Sequence, residues 1–165
     1  MTTTDQTPRA AGFRLEAFLP YRLATVTDSV ASLFAERYER RFKLTIPEWR
    51  VMATIAEHGT LSPTLVGRRT AMDKVKVSRA AQSLAAKGLL RQTQDPRDGR
   101  GRLLRLTRKG TSMYEGMVPL ATKLETEVFG DLSRADLAAL DRVLTKLSSR
   151  IETNGQDGAG PGDHS

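Results

Sequence analysis

Six side chains within one short segment are suited to contact a nucleic acid: Lys74, Val75, Lys76, Ser78, Arg79 and Gln82. Long cationic donors reach guanine in the major groove, so we expect Lys76 and Arg79 to contact base edges. We expect Lys74, Ser78 and Gln82 at phosphates or at secondary base contacts, and Val75 against a thymine methyl group. The alternative for each residue is simple exposure to solvent.

The element that must position these side chains is a helix over residues 74–87. Its apolar residues recur every three or four positions, which predicts one buried face and one polar face. Asp73 is a good N-cap, and Gly88 is a good helix stop. Residues 89–94 and 102–107 predict two strands on either side of a turn rich in Arg, Gly and Asp. With a shorter helix before it, this arrangement indicates a winged helix-turn-helix.

The same stretch resembles a known family. The run DKVKVSRAAQSLAAKGLL, followed by DPRDGR and then LTRKG, is similar to the MarR family of bacterial transcription regulators. The resemblance extends from about Leu15 to Leu147, and it implies a homodimer that binds an inverted repeat in double-stranded DNA. It also implies that Arg97 enters the minor groove from the wing, while Asp98 and Arg100 hold the loop or contact phosphate. Which of the two arginines has which role stays open.

The distribution of charge favours the same class of function. The chain has 165 residues and a formal net charge of +7, and residues 45–109 alone hold 14 Lys and Arg against five Asp and Glu. Contact with phosphate and electrostatic steering require an excess of this kind in the DNA-binding lobe. A solvated basic face is the alternative.

Several other functions find no support in the composition. The chain has no cysteine, which excludes disulfides and thiol redox sensing. It shows no metal-spaced cluster and no Gly-rich phosphate loop before a helix, and His58 and His164 have no setting for a metal or a catalytic triad. We therefore expect no enzyme, no catalytic residue, no metal and no cofactor. Without a signal peptide or a membrane span, we expect a cytoplasmic protein that does not contact membranes.

Cations and aromatic residues gather near the end of the first predicted helix, which runs from about Leu15 to Arg41. Since some members of the resembled family bind acyl-CoA thioesters, this cluster is a candidate site for an aromatic carboxylate or its thioester. The alternatives are a solvated helix end, phosphate contact, and, for Trp49, a place in the core. The candidate effector residues are Tyr21, Phe34, Arg37, Tyr38, Arg40, Arg41, Phe42 and Trp49.

The last predicted helix carries a regular apolar row that requires a partner helix. A long helix capped by Thr107 precedes it, and Pro119 predicts a kink near Val118. In the resembled family the first and last helices of two subunits interlock, whereas an intrachain core is the alternative. The candidate dimerisation residues are Leu15, Leu19, Leu137, Leu140, Leu144 and Leu147.

The predicted protein is a mainly α-helical winged helix-turn-helix with a small β-hairpin and flanking dimerisation helices. We expect a ligand-responsive, homodimeric repressor of a catabolic or efflux operon; a constitutive or architectural DNA-binding protein is the alternative. The expected segments are a disordered leader (1–12), an N-terminal dimerisation helix (13–44), the DNA-binding domain (45–109), C-terminal dimerisation helices (110–152) and a disordered tail (153–165).

Overall fold

The fold is mainly helical, with one hairpin inserted before the last two helices. A computed structural model describes residues 13–96 and 101–157. A short 3-10 helix, Leu15–Ala17, precedes α1, whose first turn contains Pro20. This architecture confirms the predicted fold class. The elements are α1 (Leu19–Phe42), α2 (Ile46–His58), α3 (Pro63–Thr70), α4 (Lys74–Ala86), β1 (Leu90–Gln94), β2 (Arg102–Leu106), α5 (Arg108–Phe129) and α6 (Arg134–Asp157).

Side-chain caps determine where helices α2, α3 and α4 begin. Thr45 and Glu48 form a capping box at the start of α2, in which the Glu48 carboxylate accepts the Thr45 backbone N–H at 2.7 Å. Ser62 accepts the Leu65 N–H at 3.3 Å at the start of α3. Asp73 accepts a backbone N–H at 2.8 Å at the start of α4. Each cap satisfies a backbone donor that the first turn leaves free.

The two strands form an antiparallel hairpin that is anchored to the rest of the chain along β2. Its register pairs residue 90 with 106 and residue 94 with 102. At the turn end, the Asp95 N–H donates to the Gly101 carbonyl at 2.8 Å. Leu61 exchanges two backbone hydrogen bonds with the fully buried Leu104, at 3.1 and 2.8 Å. The base of the wing is therefore held by both backbone pairing and apolar burial.

The chain divides into two compact units, Met1–Leu120 and Ala121–Ser165. The first contains α1 to α4, the hairpin and the first part of α5; the second contains the rest of α5 and α6. The boundaries expected after residues 44 and 109 separate functional segments, whereas these units are defined by compactness. Those expected boundaries therefore stay a prediction. The fully buried apolar side chains of the first unit include Tyr38, Leu44, Val51, Met52, Val66, Leu84 and Leu104.

Two C-terminal features bear on the sequence predictions. Helix α5 continues through Pro119 as one helix, and the predicted kink stays a prediction. Helix α6 ends at Asp157, so the expectation of a disordered tail from residue 153 is wrong for residues 153–157. The one glycine in that stretch costs only about 1 kcal/mol relative to alanine, which is too little to end a helix. The leader 1–12 and residues 158–165 lie outside the described part of the chain.

Candidate nucleic-acid interface

Helix α4 separates its polar and apolar side chains as the sequence predicted. Val77, Ala80, Ala81 and Leu84 are buried, whereas all six candidate DNA-contacting residues of this helix are exposed. The exposed residues do not form one row. At helical spacing Val75, Ser78, Arg79 and Gln82 share the outward face, and Lys74 and Lys76 flank it on either side.

Lys76, on the flank of this face, forms an ion pair with Asp73. Its ammonium lies 3.6 Å from the carboxylate of Asp73, the N-cap of the same helix. The hydrogen bond from the Lys76 backbone N–H lowers the pKa of Asp73, so the cap stays ionised. Arg79, by contrast, makes no hydrogen bond or ion pair with any residue that the structure describes. Its guanidinium is thus available to an external acceptor.

A tight turn connects α3 to α4. Ala71 adopts the left-handed conformation at φ 52°, and its neighbour Met72 is buried. A Cβ on Gly67 would lie 3.0 Å from the Met72 carbonyl oxygen, so the turn approaches α3 closely where that helix has no side chain. The two helices are therefore held as a helix-turn-helix by packing as well as by caps.

The far end of α4 is fixed by a carboxylate that sequence spacing did not identify. Glu48, 2% exposed, accepts hydrogen bonds from the Ser83 hydroxyl at 2.5 Å and from the Lys87 ammonium at 2.6 Å. Lys87 also donates to the Lys43 carbonyl at the end of α1, at 2.9 Å. Burial alone would raise the pKa of Glu48, but the bonds from Lys87, Ser83 and Thr45 lower it below its ordinary value. The only local signal was that Glu48 occupies the N3 position of a capping box.

The wing strands are described, but the two arginines predicted to contact DNA from the wing, Arg97 and Arg100, lie outside the described residues. Near the turn, Arg102 donates to the Gln92 side chain across the hairpin at 3.2 Å. This contact orients the strand end from which the turn emerges.

Most of the aromatic candidates for effector binding meet in one group. Tyr38 stacks on Trp49 at 5.0 Å between ring centroids, and Phe34 and Phe42 lie 5.9 and 6.5 Å from Tyr38. Tyr114 of α5 extends the group by stacking on Trp49 at 5.7 Å. The sequence analysis missed Tyr114, because its contact with Trp49 is long-range and leaves no local pattern.

The hydroxyl of Tyr38 is unusual within this group. The residue is fully buried, and its hydroxyl has no hydrogen-bond partner among the residues described. Burial, with a contribution from nearby Tyr114, raises the pKa of Tyr38 to about 12. Tyr21 is not part of the group: it is 41% exposed and lies about 20 Å along α1 from Phe34 at 1.5 Å per residue.

The cations expected beside these rings already have contacts within α1. Arg40 pairs with Glu36 at 2.9 Å, and the Arg41 guanidinium lies 5.6 Å from the Phe42 ring centroid. Arg37 is half-buried and also has an interaction partner. A ligand at this cluster would therefore compete with existing intramolecular contacts.

The candidate dimerisation residues are exposed in the single chain. On α6, Leu137, Leu140, Leu144 and Leu147 are 38%, 38%, 43% and 40% exposed. Near the N-terminus, Leu15 is 49% and Leu19 is 70% exposed. Rows of exposed leucine on this scale are typical of surfaces that a partner covers.

A helix-turn-helix followed by a hairpin wing, with cationic donors on the open face of its second helix, defines a winged helix-turn-helix DNA-binding protein. Residues 42–101 match the model of the MarR family. Over this segment the chain is similar to the MarR family of winged-helix transcription regulators.

Two curated relatives and one solved structure illustrate this similarity. The transcriptional repressor IacR of Pseudomonas putida is 27% identical over 146 residues, covering 88% of this chain and 87% of IacR. The repressor NicR of the same species is 24% identical over 140 residues, covering 79% of this chain and 89% of NicR. BpsR of Bordetella bronchiseptica, whose DNA binding is regulated by 6-hydroxynicotinic acid, superposes with a TM-score of 0.72 at 29% identity, covering 79% of this chain and 98% of BpsR.

The described residues show neither a metal site nor a membrane-spanning helix. They contain no group of three or more His, Cys, Asp or Glu side chains arranged to hold a metal ion. Within the same residues, every helix is too short or too polar to cross a membrane.

Proposed function

We propose that this protein is a homodimeric transcriptional repressor that uses α4 and the wing to bind an inverted repeat in double-stranded DNA. The observation that carries the proposal is the open face of α4, where Arg79 and Gln82 have no partner among the described residues. Val75, 58% exposed, lies on the same face, where only an external apolar group such as a thymine methyl can cover it. Lys74 and Lys76, on the flanks, suit phosphates better than bases.

Dimerisation supplies the geometry for an inverted repeat. A two-fold dimer binds two half-sites on one face of the duplex when its recognition helices lie about 34 Å apart. The exposed leucines of α6 and of the N-terminal segment support such a dimer, since an intrachain core would not leave them about two-fifths exposed or more. In the proposed complex, each protomer contributes one recognition helix and one wing with Arg97 and Arg100.

Measurement of sequence specificity tests the DNA-binding part of the proposal. Fluorescence anisotropy at physiological salt would compare DNA from upstream of the protein's own gene with a shuffled duplex. Base-specific binding predicts a difference in affinity of about 10³-fold or more. Equal affinities with a steep salt dependence would instead support a constitutive or architectural DNA-binding protein.

We further propose that a small aromatic acid, or its acyl-CoA thioester, releases the repressor from DNA. BpsR, a structural relative, responds to an aromatic acid, which supports this class of effector. The aromatic group around the buried Tyr38 and the half-buried Trp49 offers ring surface, and Arg37, Arg40 and Arg41 offer charge. An effector that prefers the arrangement unable to bind DNA by about 1–3 kcal/mol would weaken operator binding about 5- to 150-fold.

Reversal of charge at Arg40 and Arg41 tests the effector site. The double substitution Arg40→Glu and Arg41→Glu is expected to weaken release by the effector while leaving operator affinity nearly unchanged. Arg50→Glu, on the exposed surface of α2, is the control. Equal losses of effector response and operator affinity would assign the cluster to DNA, and a protein whose melting temperature no aromatic acid or acyl-CoA shifts would be a DNA-binding protein without an effector.

A further inference from the structure

Two adjoining cavities lie at the base of the hairpin, beside the start of α5. Their volumes are about 600 and 470 Å³, within the range of small-molecule sites, and they share Thr60, Arg105, Leu106 and Arg108. We call the combined cavity the arginine groove. Its functional lining consists of Arg91, Arg105, Arg108, Thr60, Leu106 and Tyr114.

Two of the arginines oppose each other directly. Residues 91 and 105 are cross-strand partners in the hairpin register, and both side chains are exposed. Like charges at this position destabilise a hairpin unless an anion lies between them. Neither guanidinium makes a hydrogen bond or an ion pair with the described residues. The hairpin thus bears a repulsion between two cations that no direct ion pair of either arginine with the described residues relieves.

A third cation and a carboxylate complete the charged lining. Arg108 is the first residue of α5 and has no polar partner within the described ranges 13–96 and 101–157. Glu115, one of the lining residues, supplies the opposing charge. Three cations against one carboxylate leave an excess of positive charge, which suits a dianion.

The remaining lining is partly apolar. Leu106 and Ile55 contribute aliphatic surface, and Tyr114 contributes a ring that already stacks on Trp49. The hydroxyl of Thr60 adds a group that can donate as well as accept, whereas the Thr111 hydroxyl already donates to the Thr107 carbonyl at 3.2 Å. A ligand for this groove therefore combines an anionic end with an apolar or aromatic body.

Duplex DNA is a poor occupant of the groove. The Arg91–Arg105 pair lies four residues from Asp95, where the wing turn begins. At 3.3 Å per residue the pair is about 13 Å from the turn. The hairpin base follows the C-terminal end of α4, about 20 Å from the N-terminal end of that helix at 1.5 Å per residue. The lining is also concave and partly apolar, whereas phosphate contacts require only exposed donors.

We propose that the arginine groove binds a small organic dianion with an aromatic body, either a phosphomonoester or a dicarboxylate. The guanidinium groups of Arg91, Arg105 and Arg108 bind the anionic oxygens, since their planar donors match carboxylate and phosphate in pairs. Tyr114 and Leu106 receive the apolar body. The groove adjoins the aromatic group through Tyr114, but its three arginines are distinct from Arg37, Arg40 and Arg41 of α1.

Phenyl phosphate and terephthalate are suitable probes, because each joins a ring to a double negative charge. Trp49 is the one tryptophan of the chain and stacks on Tyr114, so its fluorescence responds to a ligand at Tyr114, and the arginine variants assign the response to the groove. Titration calorimetry gives the affinity independently. Both measurements use the full-length protein without DNA, so failure of the proposed repressor function would not affect their outcome.

We expect saturable binding of at least one probe, and weakening of that binding by about tenfold or more in Arg105→Ala and in Arg108→Ala, because each loses a charged hydrogen bond. Arg50→Ala, a surface arginine outside the groove, should bind like the wild type. Failure of both probes to bind, or equal affinity in Arg105→Ala and Arg50→Ala, would overturn the proposal. So would a smaller salt dependence of DNA binding in Arg105→Ala without any effect on the probes, since the groove would then contact DNA phosphate. Unchanged melting temperatures of the exposed-arginine variants verify their folding.

Discussion

The Glu48 carboxylate and the Lys87 ammonium, 39 residues apart in sequence, lie 2.6 Å from each other and join the first turn of α2 to the residue that ends α4. The Ser83 hydroxyl donates to the same Glu48 oxygen, so two residues at the end of the recognition helix share one buried acceptor. This contact sets the position of α4 relative to α2. Since the net shift lowers the pKa of Glu48, the carboxylate is ionised at neutral pH.

Glu48→Gln should lower the free energy of unfolding at pH 7 by about 1–3 kcal/mol, because a charged hydrogen bond in a buried site is replaced by a neutral one. The folded pKa of Glu48 lies below its unfolded value of about 4.3, so its contribution is fully present above that value. The contribution disappears as pH falls through the folded pKa. Urea unfolding between pH 7 and pH 3 measures both effects.

Glu39→Gln, an exposed carboxylate on α1, is the matched control and should leave stability within about 0.5 kcal/mol. The structural role of Glu48 would be refuted if Glu48→Gln were as stable as the wild type at pH 7. It would also be refuted if both variants lost stability equally on acidification.

Gly110→Ala should destabilise the protein by about 2 kcal/mol or more. A Cβ at this position, in the first turn of α5, would press far inside van der Waals contact against the Leu89 carbonyl oxygen, and backbone cannot yield as a flexible side chain does. Gly116→Ala is the matched substitution in the same helix, where a Cβ meets nothing within 4 Å. It should stabilise by about 0.5–1 kcal/mol through helix propensity. Similar changes in the unfolding midpoint of both variants would contradict the described approach of α5 to the hairpin base.

Tyr38→Phe should leave stability unchanged or raise it by about 1 kcal/mol. The hydroxyl is buried without a partner among the described residues, and an unsatisfied buried polar group costs free energy. Tyr21→Phe is the exposed control and should shift the melting temperature very little. A loss of more than about 1 kcal/mol in Tyr38→Phe alone would mean that the hydroxyl has a stabilising partner.

Leu144→Glu should convert a dimer into a monomer. The residue is 43% exposed in the single chain, so the substitution costs little within the protomer but places a charge in the proposed apolar interface. Sedimentation velocity measures the change. Arg142→Glu, on the opposite face of α6, should remain dimeric. A wild-type monomer at micromolar concentration, or dimers of equal stability in both variants, would exclude α6 as the interface.

The sequence predicted those features that local chemistry determines. The Asp73 N-cap and the two strands lie within a few residues of the signals that specify them. The contact of Trp49 with Tyr114 could not be predicted, because it depends on how α5 packs after the hairpin.

The contacts between charged residues far apart in sequence could not be predicted from local sequence either. A glutamate at N3 of a helix is ordinarily a local cap, and nothing near Glu48 in sequence indicates that Ser83 and Lys87 share it. Similarly, Arg91 and Arg105 become a pair of opposed cations only once the hairpin register is known. The sequence pointed to the charge of α1, whereas the geometry points to an additional anion site at the hairpin base.

The most direct test of the central claim, that the open face of α4 reads bases, is the affinity of Arg79→Ala for the operator duplex and for its shuffled counterpart at one salt concentration. Loss of a bidentate contact to guanine predicts about 5- to 150-fold weaker operator binding, with little change on the shuffled duplex. Arg50→Ala should change neither affinity. An equal loss on both duplexes would show that Arg79 contacts only phosphate, and an unchanged operator affinity would contradict the assignment of this face to DNA.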